Sequence, residues 1–381
     1  MSVGSCLPYL GLWLKSVDIT DYQVGVILAS PSFAMVVTTV FIGRLADKAK
    51  DWRTAIIICN WIMVALIGVL MLVSGFIQIR VVWTLWGLVS LAKFPILDAA
   101  AVRMARHRNI EFHKMRAYGS FGFIVGTLLA GFFFEKVGVE KLTAVLFLVS
   151  LLRALTSHAL PYFRRGIDAT VEPPVTAGVS AVNTNHNNPA YRQIWFLLVL
   201  AGSALLNASH AYYYTFSAIV WSDVGYSKTV IAMLWSIGGV SEIYLMWKFA
   251  TFQDKFSARV LLIMAALSGL IRWLCFGFEP GLAMLFVLQL LHGVTFALMF
   301  LATVNFIANW TPVENSAKAQ ALSATINTFL MACTTVISGV VYASFKLQGY
   351  WIMSILCVIS IVLVCISWRF VPAASRASGL R

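Results

Sequence analysis

Charge is what this chain lacks. Asp, Glu, Lys and Arg make up 11% of its 381 residues, where a soluble domain carries about 25%. Acidic residues are the scarcer sign, 15 against 28 basic ones. A chain this poor in charge and 60% hydrophobic is not an ordinary soluble domain; it reads as an all-α protein threaded many times through a bilayer. Close-set cysteines are lacking as well. Cys6, Cys59, Cys275, Cys333, Cys357 and Cys365 are scattered through apolar runs, which supports neither a disulfide framework nor a metal site. There is no Gly-x-x-x-x-Gly-Lys phosphate loop, which disfavours an ATP-driven pump, and no paired His/Asp constellation of the kind a membrane-embedded enzyme needs. The start is a poor match to a signal peptide, since no basic residue precedes the first apolar run and Lys15 follows it.

What is present is a series of apolar runs of about 20 residues, the length needed to cross hydrocarbon. They fall near 21–43, 53–75, 80–101, 115–135, 141–162, 191–221, 227–248, 258–278, 281–308, 318–345 and 349–369. A shorter run from Val3 to Leu14 covers only about 18 Å as a helix, so the first of twelve expected helices reads as incomplete. With the N-terminus inside, 19 Lys and Arg fall on the cytoplasmic side, six on the other and three within spans. That bias fits both termini being cytoplasmic. The net charge of +13 is therefore a topology signal, and no nucleic-acid partner is expected.

The long polar stretch from Arg164 to Arg192, with Pro173-Pro174 and Asn183-Thr184-Asn185-His186-Asn187-Asn188, has the composition of a linker. It divides the chain into a first half at 1–163, a linker at 164–190, a second half at 191–371 and a tail at 372–381. A weak internal echo supports duplication: Asp47-Lys48 with Arg53 follows the second span of one half, and Asp254-Lys255 with Arg259 follows the second span of the other. Repeated bundles of this kind hold substrate near the midplane between halves.

An ionisable side chain in hydrocarbon costs roughly 2.5–3.5 kcal/mol on insertion scales, so it faces a polar cavity or a partner. Glu242, Arg272 and His292 each stand alone in consecutive spans. Glu242 lies fourteen residues beyond Lys228 and His292 twelve beyond Pro280, placing both about 18–21 Å deep. Arg272, six residues short of Phe278, lies about 9 Å deep and reaches them by extending inward or through water. A carboxylate carried in hydrocarbon suits proton exchange, and histidine, with a reference pKa of about 6.5, suits its relay. The alternative is a static triad pinning three helices together. In the first half Lys93 and Arg153 lie near mid-membrane, where two cations suit an anionic substrate. Asp98 is either a second titrating group or the partner of a basic residue such as Arg103. His210 with Tyr212, Tyr213 and Tyr214 covers most of a helix circumference, so an aromatic face should meet the cavity. Trp235 shares a helix face with Glu242, with Gly238 and Gly239 between them. Asn207, Gln289, Asn305, Gln320 and Asn327 are unranked polar candidates.

The segment Gly43-Arg44-Leu45-Ala46-Asp47-Lys48 followed by Arg53 resembles the signature of the major facilitator superfamily between helices two and three, without its usual glycine after the basic residue. His210-Ala211-x-Tyr213-Tyr214-x-Phe216-Ser217-Ala218-Ile219-x-Trp221, Gly225-Tyr226-Ser227 and Leu234-Trp235-Ser236-x-Gly238-x-Val240-x-Glu242 are similar to its 3-phenylpropionate permease branch. Arg272-Trp273, Leu291-His292-x-x-Thr295-Phe296, Pro95 with Asp98, Arg116-x-x-Gly119-Ser120, and Leu7-Pro8 with Trp13-Leu14-Lys15 continue the likeness over nearly the whole chain.

The resemblance implies a twelve-helix carrier of the bacterial inner membrane, monomeric in the lipid bilayer and driven by the proton gradient without a cofactor. It implies import of a small aromatic carboxylate such as 3-phenylpropionate, with Glu242, His292 and Arg272 coupling protons. Arg153, His210, Tyr213, Tyr214 and Trp235, with Lys93 from outside the family pattern, are expected at the substrate, and Asp47, Arg116 and Asp98 at the gates. Sugar permeases of the superfamily add a second carboxylate where this chain has Thr295, so their two-carboxylate mechanism does not carry over unchanged. Alternatives are a nucleoside or oligosaccharide symporter, or a non-transporting receptor or assembly factor on the same fold.

Overall fold

The computed structural model describes residues 4, 6–48, 52–107, 112–160, 189–251, 253 and 255–371. All regular structure among them is helical. In order the helices are α1 (Leu10–Ser16), α2 (Asp21–Lys48), α3 (Trp52–Leu70), α4 (Phe76–His107), α5 (Phe112–Val137), α6 (Leu142–Ser157), α7 (Ile194–Ala208), α8 (Ala211–Asp223), α9 (Lys228–Lys248), α10 (Ala258–Phe276), α11 (Leu282–His292), α12 (Met299–Trp310), α13 (Val313–Phe345) and α14 (Gly349–Ser367). A π-helical segment, Gly293–Leu298, joins α11 to α12. Each apolar run expected to span coincides with helix, and eight stretches among the described residues are long and apolar enough to cross a membrane. Most of the expected linker and the tail lie outside the described residues.

The chain falls into two compact units. One comprises Met1–Pro173 with Thr215–Ser236, the other Pro174–Tyr214 with Ile237–Arg381. Residues 215–236 come after the expected linker yet group with the first unit, and the local contacts explain why. Glu135 at the end of α5 accepts from the backbone N–H groups of Lys228 (2.5 Å) and Thr229 (3.3 Å), capping the otherwise unpaired start of α9. Gly131 lets α5 approach so closely that a Cβ there would lie 2.5 Å from Ala232 and 2.8 Å from the Lys228 carbonyl. Within the same unit Gly87 of α4 accommodates the ring of Pro31 in α2.

In the second unit α7, α10 and α14 pack around buried aromatics. Trp273 stacks on Tyr350 with ring centroids 5.7 Å apart, and Gly202 and Gly269 bring helices against Ser360, Val364 and Cys357 of α14.

Two expected continuous helices are interrupted, and both breaks have a side-chain cause. The run 191–221 is divided at Ser209 and His210. Ser209 Oγ (2.7 Å) and His210 Nδ1 (3.1 Å) both donate to the Leu206 carbonyl, and the His210 N–H goes instead to Asn207. Side chains here compete with the helix ladder. In the run 281–308 the Gly293 N–H is drawn across to Ser241 Oγ at 2.9 Å, and the ladder widens into the π turn that follows.

The internal echo extends to contacts. Arg53, at the start of α3, donates through Nε to the Leu160 carbonyl and through Nη2 to that of His158, both at 2.7 Å, just past the end of α6. Arg259, at the start of α10, donates through Nε to Ser367 Oγ at the end of α14 (3.1 Å), and its guanidinium lies 5.2–5.4 Å from the ring centres of Trp195, Phe306 and Trp310. Each cation thus sits at a helix C-terminus, the end that favours positive charge. Arg53→Met and Arg259→Met should each lower stability by about 1–3 kcal/mol, read as a reduced thermal unfolding midpoint of the purified protein in detergent.

Candidate functional site

The second unit gathers one charged network from helices α8, α9, α10 and α11 and the π segment. Arg272 projects from α10, a helix whose first turn is capped by Ser257 Oγ accepting from the Val260 N–H. Its side chain is fully buried. Nη1 donates to His292 Nδ1 at 3.0 Å and to Thr295 Oγ1 at 3.3 Å, and Nη2 donates to Gln289 Oε1 at 2.5 Å. Gln289 Nε2 then donates to the Tyr213 hydroxyl at 2.9 Å. The guanidinium also lies over the faces of Trp273 (4.6 Å), Tyr213 (4.9 Å) and Phe276 (5.3 Å), where ring quadrupoles attract a cation. Arg272 thus reaches His292 directly, with no water needed.

Donor and acceptor roles fix the histidine tautomers. A guanidinium only donates, so His292 Nδ1 must accept and the ring proton sits on Nε2. That proton points at Glu242 Oε1, 2.8 Å away. A carbonyl only accepts, so His210 carries its proton on Nδ1 toward Leu206, and its bare Nε2, 3.0 Å from the Thr295 hydroxyl, shares that hydroxyl's one proton with the His292 carbonyl at 3.2 Å. The result is a directed chain: Arg272 donates to His292, and His292 donates to Glu242. A neutral imidazole thereby links the cation and the carboxylate. Arg272 is sealed from solvent and His292 nearly so, whereas the Glu242 side chain is 25% exposed. Glu242 is the most exposed member of the hydrogen-bonded chain.

Backbone proximity makes this possible. A Cβ at Gly238 would lie 3.3 Å from the His292 ring, and one at Gly293 would lie 2.5 Å from the Ser241 carbonyl. Ser241 Oγ accepts from Gly293 and donates to the Gly238 carbonyl at 2.7 Å, stitching α9 to the end of α11.

The other expected residues are distributed as follows. His210, fully buried, and Tyr213 belong to the network, and Tyr214 lies against His210, Tyr213 and His292. Trp235 is buried and belongs to the first unit. Lys93 and Arg153 come together in that unit: Lys93 Nζ donates to Asn60 Oδ1 at 3.0 Å and meets Met63 Sδ at 3.7 Å, and Arg153 Nη2 meets the same sulfur at 3.2 Å. Asp47, Asp98 and Arg116 lie in helical backbone, but their side chains are outside the described residues. Sequence reasoning left Gln289 unranked and did not single out Ser241, Asn60 or Met63. Asn60 was visible as a lone amide in an apolar span; Met63 gave no signal.

Residues 1–353 match the family model described as MFS_1 like family. The chain belongs to this family. Within it, a protein described as a probable 3-phenylpropionic acid transporter from Escherichia coli (strain K12) is 28% identical over 364 residues, covering 93% of this chain and 91% of the relative. The maltose permease of Geobacillus stearothermophilus is 21% identical over 95% of this chain and 89% of its own length. Among solved structures, the nucleoside transporter NupG superposes with a TM-score of 0.80 at 16% identity, covering 97% of this chain and 95% of that one. A D-xylose-proton symporter gives a TM-score of 0.66 at 15% identity, with 97% and 94% covered. These likenesses establish the major facilitator fold, and with it a multi-pass membrane transporter and not an enzyme.

The tautomer assignment is checked by nitrogen-15 NMR on histidine-labelled protein, which should show His292 protonated on Nε2 and unprotonated on Nδ1. Thr295→Val deletes the hydroxyl that accepts from Arg272 and donates to His210. It should cost about 1–3 kcal/mol of stability, seen as a lowered thermal midpoint.

Proposed function

We propose that the protein is a proton-coupled importer of a small aromatic carboxylate, of the class of 3-phenylpropionate, in the bacterial inner membrane. One observation carries the coupling: the buried Arg272 cation is balanced through neutral His292 by Glu242, the partly exposed carboxylate of the chain of hydrogen bonds. Protonation of Glu242 cancels its charge and leaves Arg272 as an uncompensated cation in a poorly solvated interior. Such a cation is costly unless an anion or a rearrangement compensates it. Proton uptake and anion recruitment are linked by that single charge. The acid oxygen of protonated Glu242 still accepts from His292 Nε2, so the proton can enter without the imidazole changing tautomer.

The substrate class is supported by the 28% identity to the probable 3-phenylpropionic acid transporter across 93% of the chain. Aromatic surface also lies close to the network, in Tyr213, Tyr214 and Phe296 against His292. An aromatic ring with a carboxylate would meet stacking faces and a cation together.

The test uses full-length protein in liposomes with an inward proton gradient and labelled 3-phenylpropionate. Native protein should accumulate the acid, while Glu242→Gln should lose accumulation and keep counterflow exchange. Gradient-driven accumulation surviving in Glu242→Gln would remove Glu242 from coupling. A native protein that ignores the acid and carries a nucleoside or sugar would replace the substrate.

A further inference from the structure

We propose that His292 does not carry the coupled proton and is instead a neutral spacer, a positioning residue that holds Arg272 and Glu242 one imidazole apart. That a proton is coupled at all rests on the proposed function; where it stops rests on the geometry of one ring. A histidine relays a proton by accepting it on one nitrogen and releasing it from the other. Both nitrogens of His292 are committed in directions that forbid this. Nε2 donates to Glu242 Oε1 at 2.8 Å, and Nδ1 faces Arg272 Nη1 at 3.0 Å. A guanidinium offers donors only and keeps its protons in proteins, so Nδ1 receives a hydrogen bond and no transferable proton. An imidazolium fares worse, because a proton on Nδ1 would meet the arginine N–H head-on, two positive donors with no acceptor between them.

The charged and titratable groups facing the ring are Arg272 from α10, Glu242 from α9, and His210, Tyr213 and Tyr214 from the end of α7 and start of α8. Of these Glu242 alone is a carboxylate, and its side chain is partly exposed. A proton taken up there ends there. The ring itself is clamped: Phe296 stacks on it with centroids 5.7 Å apart, and Gly238 leaves so little room that a Cβ would lie 3.3 Å from it. The spacing has an energetic use. Two hydrogen bonds with an imidazole between them put guanidinium and carboxylate about 8 Å apart at most, against about 2.8 Å in a directly bonded pair, and Coulomb attraction falls with distance. In direct contact the two charges would lock each other; across the imidazole the carboxylate balances the cation and still exchanges its proton.

The test has a spectroscopic arm that needs no substrate and a transport arm that does. Full-length protein in lipid nanodiscs is titrated from about pH 8 to about pH 5. The nitrogen-15 signals of His292, identified by their loss in His292→Gln or their shift in Glu242→Gln, should keep the pattern of a neutral ring protonated on Nε2. The infrared carboxylic-acid band that Glu242→Gln abolishes should grow as pH falls. A His292 that becomes doubly protonated in that range overturns the proposal. In liposomes with an inward proton gradient and labelled 3-phenylpropionate, His292→Ala should lose accumulation by about tenfold or more and keep counterflow. His292→Gln should recover most of that loss, because one amide accepts from Arg272 through Oε1 and donates to Glu242 through Nε2. A folded His292→Gln that exchanges the acid and accumulates none of it also overturns the proposal. Should native protein not accumulate this acid, the substrate reading fails and the spectroscopic arm still upholds or overturns the spacer. A Glu242 band indifferent to pH, with His292 neutral throughout, upholds His292 as a non-carrier and refutes the proposed coupling at Glu242.

Discussion

The second unit is organised around a guanidinium that water does not reach. Burying Arg272 without partners would cost several kcal/mol, and the surroundings are arranged to offset it: three aromatic faces, the Gln289 amide oxygen, the Thr295 hydroxyl, an imidazole nitrogen and, one bond further, a carboxylate. Each of these groups needs its own position fixed. Gln289 is tied to Tyr213, Thr295 to His210, and His210 to the carbonyl of Leu206. The two helix interruptions follow from the same demand, because His210 stands at one and His292 opens the other. Polar satisfaction at this centre outranks regular helix geometry on either side of it.

Much of the fold is legible in the sequence. Runs of about 20 apolar residues announce themselves, since hydrocarbon tolerates little else, and among the described residues each expected run is mostly helical. The interruptions were not legible. Ser209-His210 reads as two ordinary residues in an apolar helix, and a π turn depends on where Ser241, fifty-two residues away in sequence, offers its hydroxyl. Long-range hydrogen bonds of this type leave no local pattern. The grouping of 215–236 with the first unit was equally hidden, because it depends on Glu135 capping another helix and on Gly131 admitting it.

The site divides in the same way. Glu242, Arg272 and His292 were conspicuous because lone ionisable groups in apolar spans are rare and costly, and depth counting put Glu242 and His292 level. Arg272 appeared too shallow by that count, which measures backbone position only; a long side chain makes up the difference and meets His292 directly. Neutral participants were harder to see. Gln289 was one of five amides with nothing to rank them, and Thr295 was noted only for the carboxylate it replaces. Its use as a two-way hydroxyl, accepting from Arg272 and sharing its proton between the His210 ring and the His292 carbonyl, exists only in three dimensions.

The π segment Gly293–Leu298 affects how this chain can be compared with others. A π turn accommodates one residue more than the α ladder it interrupts, which advances every later side chain by roughly 100° around the axis. Residues of α11 and α12 that would share a face in an unbroken helix are therefore out of phase. Between this chain and a relative whose helix runs straight through, residues that match by simple counting point in different directions beyond His292. Positional equivalence there is restored by a gap of one.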